Sequence, residues 1–448
     1  MIFISGIVLA IPTTFKRTLW MADTSQAAIP LTYSAVVIYL ADILLLALIA
    51  VTALRLFLEP NYRLNIRVLI SSWQAAGGLW WIALLGWTLA SILWAFEPML
   101  TLYAAINLAL ALMMMIIIAG VVVEGQGRLL FVTMAISGTL FASLALLQIT
   151  NKGPLGLMVL GERTWIAGDP QNFGETTYRA SGLAYHPNVL AGYLVIALLA
   201  CVAAGSALKN RQARWGLGIA ALIIAGGLAS TLSRTAWIAA AMLVAPIILT
   251  GASLARMRWQ IIRWVVALLA LTTALVIASG FGMSVWERIY TLADRAAVAN
   301  RLFYDYPNTA VVIGSSPLVG VGAANLMVVM AKLLSPAPAP LLPAASVYWC
   351  LWAELGVPGL ALFLISFGQF TPWLLKQGPF QTRLLAWGLA AAAVIMGFNF
   401  YLWGDFRTRL LLFWLLGVWW GYRLAPNAVL MATPGLAHQG AQFLSGRA

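Results

Sequence analysis

Two arginines lie beside long apolar runs, in positions where a charged side chain could do chemistry. Arg179 stands in TTYRASGLAYHPN, just before one apolar run, and Arg234 stands in STLSRTAWIAA, between two more. The planar guanidinium stays charged and donates two parallel hydrogen bonds, which suits a phosphate or a diphosphate. Because dragging an arginine into hydrocarbon costs up to ~3 kcal/mol, each is expected to face water or an anion. The two residues therefore predict an anion site at one surface of the protein.

Few side chains near these arginines could accept a proton. His186 follows Arg179 by seven residues, and imidazole is the side chain most often used as a general base. A polar residue that starts a helix is the simpler interpretation of His186. Glu175 and Asp405 are the other titratable candidates predicted at the same surface.

The elements that carry these residues are predicted to be membrane-spanning helices. Of 448 residues, 62% are hydrophobic and 9% are charged, and the mean hydropathy is +0.93, which excludes a soluble enzyme. Apolar runs of ~20 residues predict spanning helices, because backbone polar groups in hydrocarbon must be paired within the segment. We predict an all-α polytopic membrane protein with 11–12 transmembrane helices, forming one integral membrane domain over residues 1–448. Two connections, 150–188 and 281–346, are predicted as long external loops that contain short helices. Besides an N-terminal stub, the predicted spans are 31–57, 75–95, 100–123, 129–149, 189–208, 215–232, 236–252, 262–280, 347–373, 384–402 and 410–422.

The basic residues set the predicted orientation. Cytoplasmic loops carry the excess of lysine and arginine, so Lys209, Arg211 and Arg214 are assigned to the cytoplasm. Alternation of the spans then puts Arg179 and Arg234 on the outer face, where basic residues are not needed for orientation. The other basic residues that alternation assigns to the outer face are Lys152, Arg163, Arg288, Arg295, Arg301, Lys332, Arg407 and Arg409.

Several other functions are excluded by the sequence. Cys201 and Cys350 lie in apolar runs without a neighbouring histidine, so neither a metal site nor a cofactor is predicted. The segment VGVGAANL lacks the third glycine of a dinucleotide fingerprint. The net charge of +13 is divided between two faces of a membrane, so no nucleic acid partner is predicted.

Four motifs in this order resemble the O-antigen ligase and O-antigen polymerase superfamily of bacterial membrane glycosyltransferases: RASGLAYHPN, TLSR, NRLFY leading into SPLVGVGAANL, and AELGVPGLALF. The resemblance extends over residues 42–416. It implies transfer of a glycan from undecaprenyl diphosphate to a lipid or glycan acceptor at the outer face of the cytoplasmic membrane, without metal or nucleotide sugar. The partners it implies are therefore this polyprenyl-linked donor, the acceptor and the membrane lipids.

The same resemblance assigns roles to individual residues. Arg179 and Arg234 would clamp the diphosphate and stabilise the charge that develops on the leaving group. Arg301 would contribute to the same clamp. The residues expected to complete the substrate site, because they match polar positions of the motifs, are Asn188, Asn325 and Glu354.

The chain departs from the family at one important position. Family members usually carry a His-Asn pair nine residues before the glutamate of the AELG motif, and counting back from Glu354 gives Ala345 and Ser346. Because a methyl group cannot accept a proton, three explanations stay open: another residue is the base, the usual activity is absent, or the histidine has been replaced deliberately. A polymerase of the same superfamily, a non-catalytic relative and a transporter or flippase also remain as alternatives, and the sequence does not identify the acceptor.

Overall fold

Helices dominate the described part of the protein. The computed structural model describes residues 1–22, 33–73, 77–162, 178–208, 210–244, 246, 301–334, 341–376 and 379–431. The helices from the N-terminus to the arginine region are α1 (Ile2–Ala10), α2 (Leu40–Leu58), α3 (Pro60–Trp73), α4 (Leu79–Ala90), α5 (Pro98–Val121), α6 (Gly127–Thr150), α7 (Pro187–Ala207), α8 (Arg211–Ser230) and α9 (Arg234–Met242). They are followed by α10 (Tyr306–Ser315), α11 (Leu326–Leu333), α12 (Val347–Phe367), α13 (Phe380–Phe398), α14 (Tyr401–Gly404) and α15 (Phe406–Met431).

Six helical stretches of the described residues are long and apolar enough to cross a membrane: Leu40–Leu58, Pro98–Thr150, Pro187–Ala207, Arg211–Ser230, Val347–Trp373 and Phe380–Phe398. The prediction of an all-α polytopic membrane protein is confirmed. The stretch Pro98–Thr150 contains two of the predicted spans, separated where Gly125 adopts a φ of +81° that favours glycine. The number of 11–12 spans stays a prediction, because the predicted span 262–280 lies outside the described residues.

A two-stranded ribbon precedes α2, where the sequence was expected to begin a span. Strand β1 (Lys16–Met21) pairs antiparallel with β2 (Ala35–Tyr39), with Lys16 opposite Tyr39 and Met21 opposite Ala35. The predicted span start at residue 31 is therefore wrong. The run AVVIY is apolar enough for a helix, but its β-branched residues also favour a strand, and the partner β1 decides the outcome.

The last helix, α15, is the centre of the described bundle. Phe413 and Trp414 are fully buried, and α15 packs closely against α5. A Cβ at Gly417 would lie 2.6 Å from the carbonyl oxygen of Met115, and one at Gly421 would lie 2.9 Å from that of Ala119. Only glycine permits this approach of the two backbones. At the start of this helix, Arg407 and Arg409 are 2% and 4% exposed, so protein rather than lipid or water surrounds them.

Candidate functional site: an arginine-braced turn and an adjoining cleft

Arg179 connects the end of one helix to the start of another. Its side chain is only 5% exposed. Nε donates to the carbonyl oxygen of Thr231 at 2.9 Å, and Nη2 donates to Oδ1 of Asn188 at 2.7 Å. Thr231 follows the end of α8, and Asn188 stands in the first turn of α7. The guanidinium therefore braces the turn between α8 and α9 against the start of α7.

Arg234 begins α9, three residues after the Thr231 carbonyl that Arg179 binds. The turn between them is tight: Leu232 has a φ of +53°, and the backbone N–H of Ser233 donates to Oγ1 of Thr231 at 3.3 Å. A non-glycine residue in the left-handed region is uncommon and is found where surrounding contacts hold it. The structure thus brings the two predicted arginines to one turn.

The segment that carries Arg179 is held by a buried glutamine. Oε1 of Gln148, in the last turn of α6, accepts from the backbone N–H groups of Ser181 and Gly182 at 3.1 and 2.8 Å. Its Nε2 donates to Oε1 of Glu162 at 2.6 Å. Neither Gln148 nor Glu162 belongs to a predicted motif, and their positions in an apolar run and a loop gave no signal of this role.

His186 and Asn188 form the start of α7. Nδ1 of His186 accepts from the backbone N–H of Asn188 at 3.0 Å, as an N-cap does. Nδ2 of Asn188 donates to Oδ1 of Asn399 at 3.0 Å. Asn399 is a functional candidate that was not predicted from the sequence, because it carries no charge and belongs to no motif. It links the arginine-braced turn to the segment that leads into α15.

Asn325 is completely buried and ties two distant parts of the chain together. Its Oδ1 accepts from the backbone N–H of Glu97 at 2.6 Å. Its Nδ2 donates to Oγ1 of Thr101 at 2.8 Å and to the carbonyl oxygen of Ala323 at 2.9 Å. Since these bonds fix the loop before α11 to the start of α5, the side chain has an ordering role whatever substrate contacts it makes.

Two glycine-containing motifs of the sequence interlock. Helix α12 is interrupted at Gly356, which has a φ of +67° and a ψ of −167°. The carbonyl oxygen of Glu354, freed by the break, accepts from the N–H of Gly322 at 2.9 Å. The N–H of Val357 donates to the carbonyl oxygen of Leu318 at 3.2 Å. The loop SPLVGVGAANL therefore supplies hydrogen-bond partners to backbone groups of AELGVPG that the break in α12 leaves unpaired within the helix. We call these two segments the glycine joint.

A narrow cleft, part of it open to the surroundings, lies beside this joint. Glu354 and Arg409 are its charged lining residues, and Tyr33 contributes a hydroxyl. Burial raises the pKa of Tyr33 well above its ordinary value, so the phenol stays neutral. Most of the remaining lining is apolar or aromatic, including Leu326, Met327, Phe400, Trp403 and Phe406.

Arg407, at the start of α15, forms a buried ion pair within the protein. Arg407 pairs with Asp405 at 2.7 Å, with both side chains 2% exposed, and its guanidinium lies over the rings of Tyr39 and Tyr185. Burial raises the pKa of Tyr185 well above its ordinary value, and the nearby Asp405 adds to this shift. Of the basic residues predicted for the outer face, Arg407 is thus neutralised within the fold.

Ala345 is buried, with 8% of its surface exposed. It precedes Ser346, the residue before α12, and the neighbouring N–H of Ala344 donates to Oγ1 of Thr309 at 2.9 Å.

For three further candidates the structure gives no side-chain position: Arg163 and Glu175 lie outside the described residues, and of Arg301 only the backbone is described. Across the described ranges, no group of three or more His, Cys, Asp or Glu side chains could hold a metal ion.

Part of the chain matches a known protein family. Residues 219–364 match the family model for O-antigen ligase (Wzy_C), over about a third of the chain. The resemblance to the O-antigen ligase and polymerase superfamily is confirmed. The matched segment includes Arg234, Asn325, Ala345 and Glu354, while Arg179 precedes it. No curated protein shows significant similarity to the chain.

Proposed function

We propose that this protein, part of which matches the O-antigen ligase family, transfers a glycan from a polyprenyl diphosphate, such as undecaprenyl diphosphate, to a lipid or glycan acceptor. The reaction would take place at the outer face of the bacterial cytoplasmic membrane. The observation that carries this proposal is the meeting of Arg179 and Arg234 at the turn between α8 and α9. Two positively charged guanidinium groups at one turn suit the negative charge of a diphosphate.

The chemistry assigned to the arginines is stabilisation of the leaving group. As the bond between the anomeric carbon and the phosphate oxygen breaks, negative charge develops on the diphosphate. Positive charge held in a fixed position lowers the energy of that transition state without reorganisation. Arg179 is suited to positioning, because its bonds to Thr231 and Asn188 fix the turn that presents Arg234. Here the arginines would supply the charge that metal-dependent enzymes take from a cation.

The distribution of polar groups favours a glycosyltransferase over a transporter or flippase. Transporters usually keep coupling groups near the bilayer midplane. In the described residues, Arg179, Asn188 and Asn399 meet where α7 begins, where α8 ends and where α13 ends, which is one end of the bundle.

The test is transfer in cells whose own copy of the gene has been deleted. We expect Arg234→Ala to abolish surface glycan attachment, measured on glycan electrophoresis, with normal amounts of protein in the membrane. Arg128→Ala is the matched control, because Arg128 is exposed at the start of α6, the end of that helix opposite Gln148. Wild-type glycan patterns from Arg234→Ala would refute the proposed donor site.

A non-catalytic relative that binds the donor is the second candidate, and Ala345 is the observation that favours it. Such a protein would bind undecaprenyl diphosphate without transferring a glycan. Binding of the lipid measured by native mass spectrometry, together with an unchanged glycan pattern after deletion of the gene, would identify it.

A further inference from the structure

Glu354 is positioned at the edge of the cleft by the break in α12. Its own carbonyl is bound by the N–H of Gly322, and the next carbonyl, that of Leu355, accepts from Nε1 of Trp87 at 2.8 Å. The backbone N–H of Ala324 is within hydrogen-bonding reach of the Glu354 carboxylate. The backbone on both sides of the carboxylate is therefore held in place by hydrogen bonds.

Arg409 contributes a positive charge to the cleft, and its guanidinium bonds to a carbonyl oxygen rather than to a carboxylate. Its Nε and Nη2 both donate to the carbonyl oxygen of Trp403, at 3.1 and 2.8 Å. The guanidinium also lies 4.3 Å from the ring centroid of Trp403 and 4.8 Å from that of Phe406. Among the ion pairs of the described residues, Arg55 joins Glu59 and Glu124, and Arg407 joins Asp405. The positive charge of Arg409 thus balances the charge of the Glu354 carboxylate, although the two side chains do not form one of these ion pairs.

The cleft adjoins the arginine-braced turn through a short segment of chain. Asn399 accepts from Asn188, which itself accepts from Arg179. The next residue, Phe400, lines the cleft and packs edge-on against Tyr33 with ring centroids 5.6 Å apart. Residues 399–409 therefore touch the proposed donor site at one end and form a wall of the cleft with Phe400, Trp403 and Arg409.

We propose that this cleft binds the acceptor, a glycan with a free hydroxyl group, and that Glu354 is the general base that accepts the proton of that hydroxyl. The proposal rests on the proposed glycosyl transfer. The acceptor oxygen forms a bond to the anomeric carbon of the donor, its proton passes to the Glu354 carboxylate, and the polyprenyl diphosphate leaves with the electron pair of the broken bond. The aromatic walls suit the C–H faces of sugar rings, and the neutral Tyr33 hydroxyl can donate to a sugar oxygen.

The experiment compares glycan transfer with donor binding in the same variants. Glu354→Gln keeps the shape of the side chain and removes its basicity, so transfer in membranes should fall about 10²- to 10⁴-fold. Binding of undecaprenyl diphosphate to the purified full-length protein, measured by native mass spectrometry, should stay unchanged. Glu354→Asp, which keeps a carboxylate, should retain more activity than Glu354→Gln. Glu97→Gln is the matched control, because this acid precedes α5 near the same loop and does not line the cleft.

Each outcome bears on the inference. Wild-type transfer by Glu354→Gln, with loss of transfer in Arg234→Ala, overturns the role of Glu354 and leaves the proposed function standing. If Glu354→Gln loses lipid binding as well as transfer, the role of Glu354 as the base is also overturned. The residue would then contribute to donor binding or to folding. Absence of transfer by the wild-type protein overturns both.

Discussion

The Nε atom of Arg179 lies 2.9 Å from the carbonyl oxygen of Thr231 and donates to it. This contact spans 52 residues of chain and fixes the turn from which Arg234 departs. It makes Arg179 a positioning residue as well as a source of charge. A lysine would keep the charge but could not donate to Thr231 and Asn188 in one planar fork.

The first prediction separates these two contributions of Arg179. Arg179→Ala should lower transfer by about 10²- to 10³-fold, as the loss of one transition-state donor does. Arg179→Lys should also lose activity, because the turn loses its brace although the charge remains. Glycan transfer per amount of membrane-inserted protein is the measurement. Full activity of Arg179→Lys would mean that the contact with Thr231 has no role in catalysis.

The site was predictable from sequence only where charge or motif marked a residue. Arg179, Arg234 and Glu354 stood out in this way, and the bounds 347–373 of one span agree with the observed stretch Val347–Trp373. Asn399 carries no charge and no motif, so its contact with Asn188 could be found only from the packing of α13 beside α7.

Two parts of the fold depended on partners distant in sequence. The apolar residues before α2 fit a span as well as a strand, and only the pairing with β1 distinguishes them. The motif AELGVPG alone does not reveal the loop whose backbone bonds to it at the break in α12. The hydrogen bond between Gly322 and Glu354 joins residues 32 positions apart, beyond the reach of any local periodicity.

The second prediction concerns the interlocked glycine joint. A Cβ at Gly356 would lie 2.1 Å from the carbonyl oxygen of Leu318, and the backbone there adopts angles that are essentially restricted to glycine. Gly356→Ala should therefore lower the thermal stability of the purified protein and its yield in the membrane. Gly216→Ala, in the second turn of α8 where an added Cβ meets no atom within 4 Å, should instead raise stability by about 0.5–1 kcal/mol. A Gly356→Ala protein as stable as the wild type would contradict this geometry.

The third prediction concerns the buried pair of Asp405 and Arg407. Asp405→Asn removes one partner and leaves a charged guanidinium that is 2% exposed, so the free energy of unfolding should fall by about 3–5 kcal/mol. Glu59→Gln removes a partner of Arg55 in an ion pair whose side chains are 37% and 49% exposed, and should have little effect. Melting temperatures of the two variants in the same detergent are the comparison. Equal melting temperatures would show that groups other than Asp405 stabilise the buried charge of Arg407.

The last prediction addresses the missing histidine. If Glu354 is the base, an imidazole at residue 345 supplies nothing that the reaction lacks, and Ala345→His should not raise glycan transfer. A modest loss of stability is expected as well, because Ala345 is 8% exposed and a larger side chain must displace its neighbours. Transfer and melting temperature should be measured in Ala345→His with and without Glu354→Gln. A gain of transfer in the single variant would mean that the wild-type protein lacks an effective base, which would contradict the role of Glu354 and favour the non-catalytic relative.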